Sequence, residues 1–71
     1  QTMAHEASPL TSKEIEILAL AEQGLSTQEI AGRLYVSAST VKSHLSHAFG
    51  RLGVRHRAAA VAEARRRGLL G

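Results

Sequence analysis

"STQEIAGRLYVSASTVKSHLSHAFGRL", Ser26 to Leu52, decides the fold. Ser26 is followed three positions later by Glu29, the capping-box pattern that opens a helix. Leu25 and Ile30 flank it as a hydrophobic staple, and Ile30, Ala31 and Leu34 then fall on one side of a helix over about 27–34. Only "YVS" separates this segment from the next, where Ser37 is the cap and Val36 with Val41 the staple. Val41, Leu45, Ala48 and Leu52 recur at helical spacing and predict a helix over about 38–52. Two short helices joined by so tight a turn make a helix-turn-helix unit.

The outer arc of that third helical segment carries Ser39, Lys42, Ser43, Ser46 and Gly50, and no acid. Its N3 residue is Thr40, whereas carboxylates stand at N3 of the segments before it. Its positive end is therefore left for an outside anion. The B-DNA major groove admits one helix, and its base edges offer partners for an amine and for hydroxyls. Ser39, Lys42, Ser43 and Ser46 are the expected base-facing residues. Gly50 either allows a close approach from outside or is a tolerated weak point near the helix end.

Working outward, Thr11 and Glu14 form another capping box, with Leu10 and Ile15 as staple, and open a helix over about 12–23 that closes at Gly24. Ile17, Leu18 and Ala21 face inward, with Leu20 at the margin. A fourth helix is expected over about 56–67, starting at His56 or Arg57 and closed by Gly68, with Ala60, Val61 and Ala64 inward. Ala58, Ala59 and Ala62 leave its outer side smooth enough for a second helix to come close, and with Arg66 they are the expected dimer surface. Residues 1–8 show no apolar periodicity and read as a disordered tail, leaving 9–71 as one all-α, four-helix domain. Gln1 is not an initiator, so residue 1 is expected to lie inside a longer chain or to follow residues left by cloning.

Charge is segregated along the chain. Glu6, Glu14, Glu16, Glu22 and Glu29 lie in the first part, with Lys13 alone to balance them. No acid occurs from Ile30 to Ala62, a span holding Arg33, Lys42, Arg51, Arg55 and Arg57, and Arg65 to Arg67 follow Glu63. Such asymmetry points to a polyanionic partner. With no cysteine there is neither a disulfide framework nor a thiolate metal site. No apolar run approaches the roughly 20 residues of a membrane helix. His44 and His47 have an i, i+3 spacing, but a zinc site needs three or four ligands and only His5, His56 and unpatterned carboxylates remain. His44 reads as packed or phosphate-facing, and His47 as more exposed. No nucleophile elbow, phosphate loop or metalloprotease pattern is present, so neither an enzyme nor a cofactor is expected.

The stretches "LTSKEIEIL", "GLSTQEIAGRL", "STVKSHL" and "RLGVRHRAAAV" together resemble the LuxR-type, or GerE-like, helix-turn-helix domain of the NarL/FixJ response-regulator class, over Leu10 to Leu69. The resemblance implies a third helix that reads double-stranded DNA and a fourth that forms a homodimer on two half-sites. It places Thr27, Gln28, Thr40 and His44 near phosphates or in support of the third helix, and His47 and Arg51 are expected phosphate contacts beside them. It further implies a cytoplasmic, nucleoid-associated bacterial transcription regulator, with an upstream receiver or sensor domain and RNA polymerase as a further partner. The sequence departs from the usual pattern at several positions. Gln28 stands where Lys is frequent, Ala48 where a larger aliphatic is common, His56 where Asn or Ser leads into the last helix, and Ser46 where some members carry a basic residue. These departures imply one phosphate contact fewer, a looser core, a weaker cap and heavier reliance on Lys42. A sigma-factor promoter-reading domain shares the "EIA…STVKSHL" wording but does not usually continue into "LGVRHRAAAVAEARRRGLL". A protein-binding module would be expected to carry apolar or aromatic anchors on the third helix.

Overall fold

The computed structural model describes residues 10–70, so the expected tail lies outside the described residues. Four helices follow one another: α1 (Ser12–Glu22), α2 (Thr27–Leu34), α3 (Ala38–Leu52) and α4 (Arg57–Arg66), with no strand among the described residues. α1 packs on α2, α3 and α4, and α3 packs on α2 and α4, so α1 and α3 form the centre of the bundle. Two boundaries differ slightly from expectation, and α4 begins at Arg57, the later of its two expected starts. Gln23 is the C-cap of α1, His56 the N-cap of α4 and Arg67 its C-cap; each still makes a capping hydrogen bond but lies outside the helix proper.

The helix starts follow from local chemistry. Thr11 accepts from the Glu14 N–H at 3.1 Å, and the Glu14 carboxylate accepts from the Thr11 N–H at 3.0 Å. Ser26 and Glu29 repeat the exchange at 3.1 and 2.7 Å. Each box satisfies two backbone donors that would otherwise be orphaned, and losing one costs about 1 kcal/mol. Ser37 caps α3 by accepting from the Thr40 N–H at 3.0 Å, while its hydroxyl donates to the Thr40 hydroxyl at 2.9 Å. His56 caps α4 through Nδ1, which accepts from the Ala59 N–H at 3.3 Å, the longest of the four N-cap bonds.

The helix ends share one geometry. A residue in the left-handed region is followed by an apolar residue whose N–H donates five positions back: Leu25 to Leu20, Val36 to Ala31, Val54 to Phe49 and Leu69 to Ala64. Those apolar residues are half-buried and pack on the core. At three ends the left-handed residue is glycine, with φ of 94° at Gly24, 72° at Gly53 and 75° at Gly68. At the end of α2 it is Tyr35, with φ 60° and ψ 41°. A side chain there costs about 1 kcal/mol, because Cβ crowds the following carbonyl.

The core is thin and aliphatic. Ile17, Leu18, Ile30 and Val41 are wholly buried, and Leu10, Leu45, Leu52 and Leu70 nearly so. Ala48, Ala60 and Ala64 close the gaps between helices, Ala48 being 1% exposed at the position where a larger aliphatic was the usual choice. Val61 and Leu34, expected inward, are only half-buried and pack on the core's edge. Burying each large aliphatic stabilises the fold by about 1.5–3 kcal/mol. Gly50 is exposed and a Cβ there would meet nothing, so no neighbour within the chain requires glycine at that point. No helix among the described residues is long and apolar enough to cross a membrane.

Candidate nucleic-acid interface

Burial of Val41, Leu45, Ala48 and Leu52 fixes the rotation of α3 about its axis. The opposite side is thereby committed to the surface: Ser39, Lys42, Ser43 and Ser46 are all exposed and share one face. There is no acid in the first turn of α3. The cap brings hydroxyls and no carboxylate, so the partial positive charge of that end is not cancelled.

The cations divide into two groups. The arginine run of the last helix, counted in the sequence toward a basic surface, is largely paired. Arg65 binds Glu22 of α1, and Glu63 accepts from Arg66 at 2.5 and 3.1 Å and from Arg67 at 2.8 Å. These hydrogen bonds from Arg66 and Arg67 hold the Glu63 carboxyl down at about 2. By contrast, Arg33, Lys42 and Arg55 make no ion pair among the described residues. The uncompensated positive charge therefore lies on and just after the helix-turn-helix.

The residues expected at phosphates meet different fates. Gln28 and Thr40 are exposed, whereas Thr27 is half-buried and already engaged. Arg57, the first residue of α4, donates to the Thr27 hydroxyl at 3.2 Å and to the Leu25 carbonyl. Thr27 thus joins α2 to α4 within the fold, and its hydroxyl, which accepts from Arg57, keeps its own proton to donate. His47 is likewise not a free surface group. Its Nδ1 lies 2.5 Å from the Glu14 Oε2, and since the carboxylate can only accept, the ring donates. Glu14 is 2% exposed, while the His47 side chain is 55% exposed. Burial pushes the Glu14 carboxyl up, but this is outweighed by the bonds from His47 and the Thr11 N–H and by the charges of His47 and Arg51. The net effect is a carboxyl held below its ordinary value of 4.5.

Glu14 and His47 line a groove of about 410 Å³ between α1 and α3, together with Thr11, Ser43 and His44. His44 is half-buried there. Among the described residues no three His, Cys, Asp or Glu side chains cluster closely enough to hold a metal. On α4, Ala58 and Ala62 are exposed and Ala59 half-buried, and Arg66, also exposed, is engaged by Glu63 on its own helix. Sequence reasoning missed the Glu14–His47 and Arg57–Thr27 ties, which join residues about thirty positions apart. It also missed Tyr35, for which the absence of glycine after Leu34 was the available signal.

The profile of the bacterial regulatory proteins, luxR family (GerE), matches residues 8–64. The response regulator ChrA of a heme-sensing two-component system is 48% identical over 86% of this chain and superposes with a TM-score of 0.84; the match spans 30% of that protein's chain. The transcription factor GerE is 39% identical over 90% of this chain and 96% of its own, with a TM-score of 0.85.

Proposed function

This chain belongs to the luxR family of bacterial regulatory proteins, DNA-binding transcription regulators, and from that membership we propose how it engages its target. α3 enters the major groove of duplex DNA with Ser39, Lys42, Ser43 and Ser46 toward the bases. Lys42 supplies the strongest readout as a donor to guanine O6 and N7, and the serines make adaptable or water-bridged contacts. Gln28, Thr40 and His44 approach flanking phosphates, with Arg51 adding positive charge nearby. Two copies associate through Ala58, Ala59 and Ala62 of α4, with Arg66 at the rim, and read two half-sites.

The observation that carries this reading is the exposed, acid-free face of α3, flanked by cations that the fold leaves uncompensated. A helix serving only as a solvated surface gains nothing by excluding carboxylates, whereas a helix lying against phosphates does. Residues 9–71 act as an output domain, controlled by a receiver or sensor domain upstream. The 48% identity to a segment of a response regulator supports that arrangement. RNA polymerase is a further partner, and the setting is the bacterial cytoplasm and nucleoid.

The test is selection of bound duplexes from a random pool at stated salt, followed by binding of wild type and Lys42→Ala to the selected sequence and to single-base variants. Lys42→Ala should lose about 1–3 kcal/mol on the selected site and relax discrimination at one base pair. Equal loss on every sequence would reduce Lys42 to a phosphate contact. Failure of the folded wild type to enrich any sequence would remove the base-reading role.

A further inference from the structure

We propose that Tyr35 is a contact residue for the DNA backbone, its phenol meeting a phosphate at the edge of the groove that receives α3; this rests on the DNA-binding reading above. All four helices end with the same backbone device, and three of them place glycine at its left-handed position. The end of α2, immediately before the DNA-facing helix, instead holds the chain's one tyrosine at φ 60°. Nothing inside the fold compensates for that choice. Tyr35 is 95% exposed, the one large hydrophobic side chain so placed among the described residues. Glycine would close α2 equally well and without crowding, so the side chain is retained for something outside the chain.

The surroundings indicate what that is. Tyr35 lies two residues before the α3 cap, at the end of the helix that enters the groove. Exposed residues around it in the chain are Arg33, Ser37, Ser39 and Thr40, polar or cationic, and the nearest acid in sequence is Glu29. A docking surface for a protein would set an exposed aromatic among exposed apolar neighbours, whereas the flanking Leu34 and Val36 are half-buried and pack on the core. A phenol suits a phosphate well, because its O–H donates to the oxygen while its ring covers the adjacent sugar. Such a contact is independent of base sequence and fixes the register of the helix-turn-helix on the duplex.

The experiment compares wild type, Tyr35→Gly and Tyr35→Phe by thermal melting and by anisotropy of a labelled random-sequence duplex at low salt. Tyr35→Gly should melt about 4–8 °C higher, because the left-handed position is relieved. It should nevertheless bind the duplex about tenfold more weakly. Tyr35→Phe should not gain that melting increment and should lose about threefold in affinity, isolating the hydroxyl. If wild type binds the duplex and Tyr35→Gly binds it equally well, the contact is overturned while the DNA reading stands. If the folded wild type binds no duplex, both fall. If Tyr35→Gly keeps duplex affinity but loses binding to purified RNA polymerase, the residue serves a protein and the proposal is overturned. A Tyr35→Gly variant that melts no higher than wild type would remove the argument from backbone cost and overturn the proposal with it.

Discussion

Replacing the buried Glu14 should destabilise the fold markedly, and the amount can be worked from its contacts. The side chain is 2% exposed and accepts from the Thr11 N–H at 3.0 Å and from His47 at 2.5 Å. Glu14→Ala removes the reciprocal half of the α1 capping box, worth about 1 kcal/mol. The His47 bond is charge-assisted, but the ring is more than half exposed, so it contributes about 0.5–1 kcal/mol rather than the several of a fully buried pair. Loss of the buried methylene adds about 0.8 kcal/mol. The total is about 2–3 kcal/mol, against a stability of roughly 4–11 kcal/mol for a chain of this length. Thermal melting followed by far-ultraviolet circular dichroism should show a fall of about 10–20 °C.

The pH dependence gives an independent check. Because folding holds the Glu14 carboxyl below its ordinary value of 4.5, its stabilisation is fully present above that pH and is lost as the pH falls through the folded-state value. Glu14→Gln keeps an acceptor for the Thr11 N–H but cannot ionise. Its denaturation curve should therefore flatten below about pH 4.5 relative to wild type, Glu63 being common to both and cancelling. A cycle with His47→Ala should give a coupling of about 0.5–1 kcal/mol. Additive mutants, or coincident acid limbs for wild type and Glu14→Gln, would refute the claim that a buried carboxylate ties α1 to α3.

Arg57→Ala should destabilise the fold by about 1–2 kcal/mol in urea titrations, since it removes donors to the Leu25 carbonyl and the Thr27 hydroxyl. The Glu63 carboxyl should titrate at about 2 by carbon-detected NMR, and Arg66→Ala should move that midpoint upward, an effect that high salt diminishes because the pair is exposed. Ala62→Glu should leave the melting temperature within a few degrees of wild type. It should abolish cooperative binding to a two-half-site duplex, a result read by gel shift; unchanged cooperativity would remove α4 as the dimer surface.

The features legible in the sequence are those decided within one turn of helix. Thr11, Ser26 and Ser37 fix the starts of three helices through partners three residues away, and the spacing of Val41, Leu45, Ala48 and Leu52 fixes the rotation of α3. The exposure of Ser39, Lys42, Ser43 and Ser46 follows from that rotation. The features that were not legible depend on which helices meet. Glu14 reads as a cap, and nothing in its neighbourhood announces that its second oxygen faces His47. The arginines at 65–67 read as surplus positive charge, until packing of α1 against α4 brings Glu22 to Arg65. Thr27 reads as a residue near phosphates or in support of α3, and its tie to Arg57 is not visible because Arg57 arrives from another helix.

These differences bear on where the chain directs its charge. A net charge of +3 summed over the whole sequence suggests a diffuse attraction for polyanions. Pairing within the fold changes that picture, because arginines near the C-terminus spend their charge on Glu22 and Glu63, while Arg33, Lys42 and Arg55 keep theirs. The helix ends show the same division. α1 and α2 each have a glutamate in the first turn that neutralises the local dipole, whereas α3 has none. The cations without an ion pair among the described residues and the first turn without a carboxylate therefore all belong to the helix-turn-helix and the loop after it, whose α3 also displays the exposed hydroxyls of Ser39, Ser43 and Ser46. Adding a carboxylate at Thr40 would supply the capping box that α1 and α2 have and strengthen α3 in isolation. It would also set a negative charge where the phosphates of the duplex are expected, so the residue that would improve the helix is the one its role excludes.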